Sequence, residues 1–134
     1  MKQKKLLLSC LFFGILYSGI ASATEIWSID DFTLPQYHWV GQWIQISGNQ
    51  YKAVEHLGST TVERDVTIDR AGEQIHAYST WQSNGDLCFF YGTLKGEKHN
   101  LASGEYFCRG GQGSTGSWSA TIADAAVTNA ENNK

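Results

Sequence analysis

The chain has 134 residues, 42% of them hydrophobic, and its 10 basic and 13 acidic residues give a formal net charge of −3 at pH 7. This length is enough for one domain with a modest core. The acidic balance and the lack of a basic stripe argue against binding to a nucleic-acid backbone and favour a cationic or neutral partner, although modest negative charge also keeps small domains soluble.

Residues 1–23 have the three parts of a secretory signal peptide: a start with three lysines, an apolar run over residues 6–20 that is short for a membrane span, and a small-residue cleavage site ending at Ala23. Three of the ten basic residues and no acidic residue precede this site, so the mature chain has seven basic and thirteen acidic residues, a formal charge of −6. We therefore expect a periplasmic or secreted protein with no membrane span once the signal is removed.

Short apolar or aromatic runs alternate with turn residues after the signal, which is typical of an all-β protein. In the clearest strand, residues 61–69, an apolar face includes Arg64 as its one charged member. The other predicted strands cover residues 37–47, 51–56, 74–81, 87–95, 101–108 and 117–122. The fold prediction is a small antiparallel up-and-down β-barrel or sandwich of seven or eight strands, in a single domain over residues 24–122 with a flexible tail over residues 123–134.

Cys88 and Cys108 are the only cysteines after the signal peptide. An exported pair is expected to form a disulfide, and closing a loop of about twenty residues contributes about 3 kcal/mol. If the two cysteines face each other on adjacent antiparallel strands, the hairpin turns about Lys98, and residues 96–99 (Gly-Glu-Lys-His) have suitable turn chemistry.

This register gives the hairpin two faces. The cysteine face pairs Phe90 with Tyr106 and is apolar, so we expect it to face the core. The opposite face carries the candidate partner-binding residues Phe89, Tyr91, Glu105 and Phe107. Two interpretations remain open: a second sheet, the N-terminal segment or a far barrel wall covers these rings, or they form an exposed patch edged by Glu105.

The Gly-rich stretch over residues 110–116 predicts a surface hairpin loop. It leads into Trp118 on a strand and not into a helix, so it is no phosphate-binding loop. If the loop inserts into a partner, Gln112 and Ser114 are its candidate contacts.

No pattern indicates catalysis, a cofactor or a metal site. The four histidines lack the spacing of zinc ligands, and no Gly-x-Ser-x-Gly element occurs. Asp30 and Asp31 precede the first predicted strand and are expected to stay solvated. An enzyme that uses His76, Tyr78 and a carboxylate is the weakest hypothesis.

All five tryptophans lie after the signal peptide. Trp39 and Trp43 share one alternating face with Gly41, which suits either a barrel interior or a sugar-stacking platform. If the barrel binds a small molecule, the candidate ligand-binding residues are Trp39, Trp43, Trp81 and Trp118.

Gly41-Gln42-Trp43 resembles the Gly-x-Trp of the first barrel strand in calycins, the group of lipocalins and avidin-like proteins. Gly116-Ser117-Trp118 repeats this Gly-x-Trp pattern. This resemblance implies a small ligand-binding barrel. The chain is also similar in size, export and disulfide to small periplasmic lysozyme inhibitors. Their Ser-Gly-x-x-Tyr element resembles residues 103–106 (Ser-Gly-Glu-Tyr), which are one residue short, so no functional residue is carried over.

The first functional hypothesis is therefore an exported, non-catalytic inhibitor or immunity-type protein that binds another exported or envelope protein, such as a cell-wall hydrolase or a toxin. The alternative is a calycin-like barrel that binds an apolar small molecule or a glycan.

Overall fold

The computed structural model describes residues 24–33, 37–81, 86–110 and 114–125. The predicted signal peptide, the turn around Asn84 and residues 126–134 of the predicted tail lie outside these ranges. Within them, no helix is long and apolar enough to cross a membrane.

The described chain forms eight β-strands in sequence order. They are β1 (Thr24–Thr33), β2 (Tyr37–Ser47), β3 (Gln50–Leu57), β4 (Thr60–Ala71), β5 (Gln74–Trp81), β6 (Leu87–Lys95), β7 (Leu101–Arg109) and β8 (Thr115–Ala125). Each strand pairs antiparallel with the next, and β8 pairs with β1, so the sheet closes into an up-and-down barrel. The all-β prediction is confirmed. Of the two predicted architectures, barrel and sandwich, the structure is a barrel.

Alternation along the strands separates a packed interior from the outer wall. Trp27, Trp43 and Trp118, from β1, β2 and β8, lie next to one another at the centre with ring centroids 6.2 to 6.4 Å apart. The Phe90 ring meets Trp43 edge-on at 5.0 Å. These four side chains are at most 2% exposed, so large aromatic rings fill the middle of the barrel.

Inward-facing glycines make room for these rings. A Cβ on Gly92 would lie 2.5 Å from the Trp118 ring, and a Cβ on Gly104 would lie 1.7 Å from the Tyr91 carbonyl oxygen. The Trp118 indole N–H lies 3.2 Å from the carbonyl oxygens of both Tyr91 and Glu105 and donates to them. The Gly-x-Trp element of β8 thus places a glycine and a core tryptophan on the same inner face, and that of β2 does the same.

The hairpin of β6 and β7 has the predicted register. Cys88 and Cys108 are paired and form the disulfide, Phe90 is opposite Tyr106, and Tyr91 is opposite Glu105. The turn lies between Lys95 and Leu101. The disulfide faces the interior, as its predicted core position requires.

The strands β3, β4 and β7 extend past their predicted ends by one or two residues, and the larger differences concern β1 and β8. β1 was not predicted as a strand, because its inner face combines Trp27 and Ile29 with the acidic Glu25 and Asp31, which hides the apolar alternation. β8 begins at Thr115, inside the predicted Gly-rich loop, and continues to Ala125, three residues past the predicted end of the domain. Gly116 and residues 123–125 pair with β1 and help to close the barrel, and Thr115 pairs with Phe107 of β7.

The barrel has two different ends. At one, here called the turn end, short turns join β2 to β3, β4 to β5 and β6 to β7. Glu25 lies there, and its carboxylate accepts hydrogen bonds from the Trp27 indole, the Tyr51 hydroxyl and Arg70. Burial, followed by the hydrogen bond to Glu25, raises the pKa of Tyr51 to about 12. The other end, here called the loop end, carries the connections after β1, β3, β5 and β7.

Candidate functional site

Aromatic side chains cluster on one side of the outer wall, across β5, β6, β7 and β1. We call this set the aromatic face; its members are Phe32, Tyr78, Phe89, Tyr91 and Phe107. The Phe107 ring stacks on Phe89 with centroids 5.0 Å apart and on Tyr91 at 6.2 Å. Phe32 and Tyr91 are 46% and 44% exposed. Large rings with this exposure on a small barrel make this face the candidate interaction surface.

Cationic and imidazole groups border the aromatic face. The Arg109 guanidinium lies 5.9 Å from the centroid of Phe89, and the His76 ring meets Tyr91 edge-on at 5.0 Å. On β1, the Phe32 ring stacks on His38 at 4.3 Å, and His38 bonds to the Asp30 carboxylate at 2.9 Å. These contacts surround the rings with neighbours that restrict their side-chain rotamers.

A groove of about 690 Å³ runs between Phe32 on one side and Tyr91 and Phe107 on the other. Small residues of β8, Thr115, Gly116 and Ser117, form its floor. The Glu105 carboxylate lines the groove, because Glu105 lies between Tyr91 and Ser117 in the register. The groove therefore combines aromatic walls with one acidic group.

The outer wall on the other side of the barrel has a different character. On β3 and β4, outward positions carry Lys52, Glu63 and Asp65, and the Lys52 ammonium lies 3.2 Å from the Asp65 carboxylate. The described exterior thus carries the aromatic face on one side and charged side chains on β3 and β4, with the exposed aliphatic residues Val40, Ile44 and Ile46 on β2 between them.

The structure brings four of the predicted partner-binding residues together. Phe89, Tyr91, Glu105 and Phe107 are adjacent on the outer wall. No second sheet or far barrel wall among the described residues covers them, because the barrel closes with this face outward. The N-terminal segment, the other covering element considered, lies outside the described residues. Phe89 and Phe107 are half-buried because they stack on each other.

The two predicted loop contacts, Gln112 and Ser114, are not placed with this group by the structure. Gln112 lies outside the described residues. Ser114 is half-buried directly before β8, and its carbonyl accepts a hydrogen bond from the Cys108 amide at 2.7 Å, so it extends the pairing at the loop end. Its backbone role does not support the predicted position on an inserting loop.

Sequence reasoning missed Phe32 as part of this face. The alternation of Trp27, Ile29 and Asp31 would have placed Phe32 on the outside of β1, but that strand was not recognised. Only closure of the barrel brings Phe32 beside β8 and opposite Tyr91, and no local pattern encodes that contact.

The predicted ligand-binding tryptophans do not form one open site. Trp43 and Trp118 are 0% and 2% exposed and pack against each other and Trp27. Trp39 is half-buried near the loop end, and the side chain of Trp81 lies outside the described part of the structure. Trp43 and Trp118 fill the interior, which contradicts the idea that they line a ligand cavity.

A buried polar cluster lies in the barrel toward the loop end. It comprises Asp31, Glu55, Arg64 and Ser79, each at most 7% exposed. Arg64 NH2 lies 3.3 Å from Glu55 Oε2, and the Trp43 indole donates to Glu55 Oε1 at 2.8 Å. The charged residue that interrupts the apolar face of β4 is thus an internal ion-pair partner, which its sequence position did not reveal.

Asp31 corrects the prediction that both aspartates of its pair stay solvated. It is 2% exposed because β1 turns it inward, whereas Asp30 faces outward. Burial, and then repulsion from Glu55, raise the pKa of Asp31 well above its ordinary value, while Arg64 partly opposes them. Burial in the barrel therefore disfavours the charged form of this carboxyl.

Histidines and acidic residues do not assemble into a metal site in the described ranges, where no group of three or more potential ligands occurs. His76 and Tyr78 share the outer face of β5, as their spacing predicted.

The chain matches no family model, no curated protein and no solved structure. Its function is therefore inferred from its own residues and geometry.

Proposed function

We propose that this protein is an exported, non-catalytic binding protein, of the inhibitor or immunity type, that uses the aromatic face to bind another exported protein such as a cell-wall hydrolase or a toxin. The observation that carries the proposal is the exposure of stacked aromatic rings on one side of a closed, filled barrel. Aromatic residues are enriched at the energetic centres of protein interfaces.

The shape of the molecule supports a protein partner over a small one. The central tryptophans occupy the interior that a calycin-like ligand would need, and the depression on the aromatic side is an open groove. An open groove with ring walls suits a protruding segment of a partner, whereas small-molecule sites bury most of their ligand.

The sequence supports export. All described strands follow the predicted cleavage site, with β1 beginning at Thr24, and the pair Cys88 and Cys108 is oxidised. Disulfides persist in the periplasm and outside the cell and are rare in the cytosol. The acidic charge of the mature chain also favours a basic partner, since complementary charge speeds association.

Site-specific photocrosslinking in living cells tests this function. A photoreactive amino acid at Tyr91 should give one discrete adduct with an envelope or delivered protein, and the same group at Glu63 on the opposite wall should not. The double variant Tyr91→Ala, Phe107→Ala should lose the complex between the purified proteins, while Lys52→Ala, Glu63→Ala retains it. Equal crosslinking from both walls, or a complex that survives the aromatic double variant, would contradict the proposal.

A further inference from the structure

The groove in the aromatic face is lined by residues that together favour the binding of one kind of side chain. Its walls are the rings of Phe32, Tyr91 and Phe107, and its acidic member is Glu105. Faces of aromatic rings attract cations, and arginine adds planar stacking and a forked pair of donors that matches a carboxylate. A site with ring walls and one carboxylate is thus complementary to a guanidinium group.

The carboxylate of Glu105 is available for such a contact. Glu105 is exposed, and none of the ion pairs found among the described residues includes it. The Arg109 guanidinium lies over Phe89, closer to the loop end. The groove therefore presents negative charge that the described part of the barrel leaves without a counter-ion.

The width of the groove follows from the strand register. Tyr91, Glu105, Ser117 and Phe32 lie in one row across β6, β7, β8 and β1. With strands about 4.8 Å apart, the two ring walls stand about 14 Å apart along the wall of the barrel. The short side chain of Ser117 leaves this interval open, so an extended side chain can enter and reach Glu105.

We propose that this groove receives an arginine side chain of the partner protein, with the guanidinium paired to Glu105 and packed against Tyr91, the residue opposite Glu105 in the register. The inference rests on the proposed function and names the chemistry of the partner at its contact. It is consistent with a mature chain whose acidic residues exceed its basic ones, thirteen to seven.

A peptide titration tests the proposal without the natural partner. The probes are acetyl-Gly-Arg-Gly-amide, its lysine counterpart, and its citrulline counterpart, which keeps the shape of arginine but not the charge. Amide chemical shifts of the ¹⁵N-labelled protein should move at Phe32, Tyr91, Glu105 and Ser117 with the arginine peptide and saturate. Glu105→Gln should weaken this binding about fivefold, as expected for a partly shielded charge pair, and Glu63→Gln on the opposite wall should leave it unchanged.

Three results would overturn the proposal: equal binding of the citrulline peptide, lysine binding as tight as arginine binding, or unaltered arginine binding by Glu105→Gln. Failure here is distinguishable from failure of the proposed function. If the Tyr91 photocrosslink to a protein persists while the arginine peptide shows no dependence on Glu105, the face binds a partner through other chemistry.

Discussion

Asp31 shows how a single buried carboxyl links the stability of the barrel to pH. In an unfolded chain this group would ionise near pH 4, whereas in the fold its pKa is raised well above that value by burial and by Glu55. A raised pKa means that the fold binds the proton more tightly than the unfolded chain does. The stability from Asp31 is therefore complete below about pH 4 and is lost as the pH rises toward the folded pKa.

Replacing Asp31→Asn should remove this loss, because asparagine has the shape of the neutral carboxyl and does not ionise. We expect the free energy of unfolding of the variant, relative to the wild type, to rise between pH 4 and pH 7. Urea unfolding at a series of pH values measures this difference, with Asp30→Asn on the outer face as the control. A difference that stays flat across this range would show that Asp31 ionises normally in the fold.

Arg64 and Glu55 form the second feature at this scale, a buried pair in which each charge depends on the other. We expect Arg64→Leu to cost about 3–5 kcal/mol, since it leaves the Glu55 carboxylate buried without its cation. The double variant Glu55→Met, Arg64→Leu should be more stable than Arg64→Leu alone, because neither residue of the pair then leaves a buried charge without a counter-ion. Thermal and denaturant unfolding of both variants measure these costs; a double variant less stable than Arg64→Leu would contradict this account.

At the scale of elements, the hairpin of β6 and β7 was predictable because one covalent link fixes its register. Once Cys88 is opposite Cys108, alternation assigns every other side chain of the two strands to the core or to the exterior. The strand β1 was not predictable in the same way. Its inward Glu25 is met by Tyr51 of β3 and Arg70 of β4, and its inward Asp31 lies near Arg64 of β4; these contacts arise from tertiary structure.

The exposure of the aromatic face has a similar explanation. The sequence of the hairpin predicts that Phe89, Tyr91 and Phe107 share a side, but it contains no signal for whether another layer covers them. Closure of the sheet on itself decides the question, because a barrel that already has a filled interior turns its other face outward.

The approach of β6 and β7 depends on Gly104, whose added Cβ would lie 1.7 Å from the Tyr91 carbonyl oxygen and 2.6 Å from the Gly92 Cα. Gly104→Ala must therefore shift the strands and the Trp118 ring above them, and we expect a loss of at least about 2 kcal/mol. Ser103→Ala on the outer face of the same strand should cost less than about 1 kcal/mol. Chemical denaturation of the two variants measures both effects, and equal losses would show that the glycine is not required for packing.

At the scale of the whole molecule, closure through β1 and β8 makes the barrel one cooperative unit. Ten residue pairs join these two strands, although they lie at opposite ends of the described chain. Phe32 is carried by β1, so the groove has both of its walls only while the barrel is closed.

Native-state hydrogen exchange tests whether the barrel unfolds as one cooperative unit. Amides in the middle of β1 should open with the same free energy as those of β4 and β5, because separating β1 from its two neighbours exposes the tryptophan core. The turn residues Gly48 and Gly72 serve as the fast-exchanging reference. Opening of β1 at a free energy about 2 kcal/mol or more below that of β4 would show that the first strand detaches independently.

The pairing of Thr24 with Ala125 also sets the direction in which the barrel can be attached to something else. Both strand ends leave the molecule side by side at the turn end, whereas Phe32 and Thr115 place the groove toward the loop end. A tether or fused domain that continues from these strand ends therefore attaches at the end of the barrel farther from Phe32 and Thr115. The barrel can be held there while the groove on its side wall stays open to a partner.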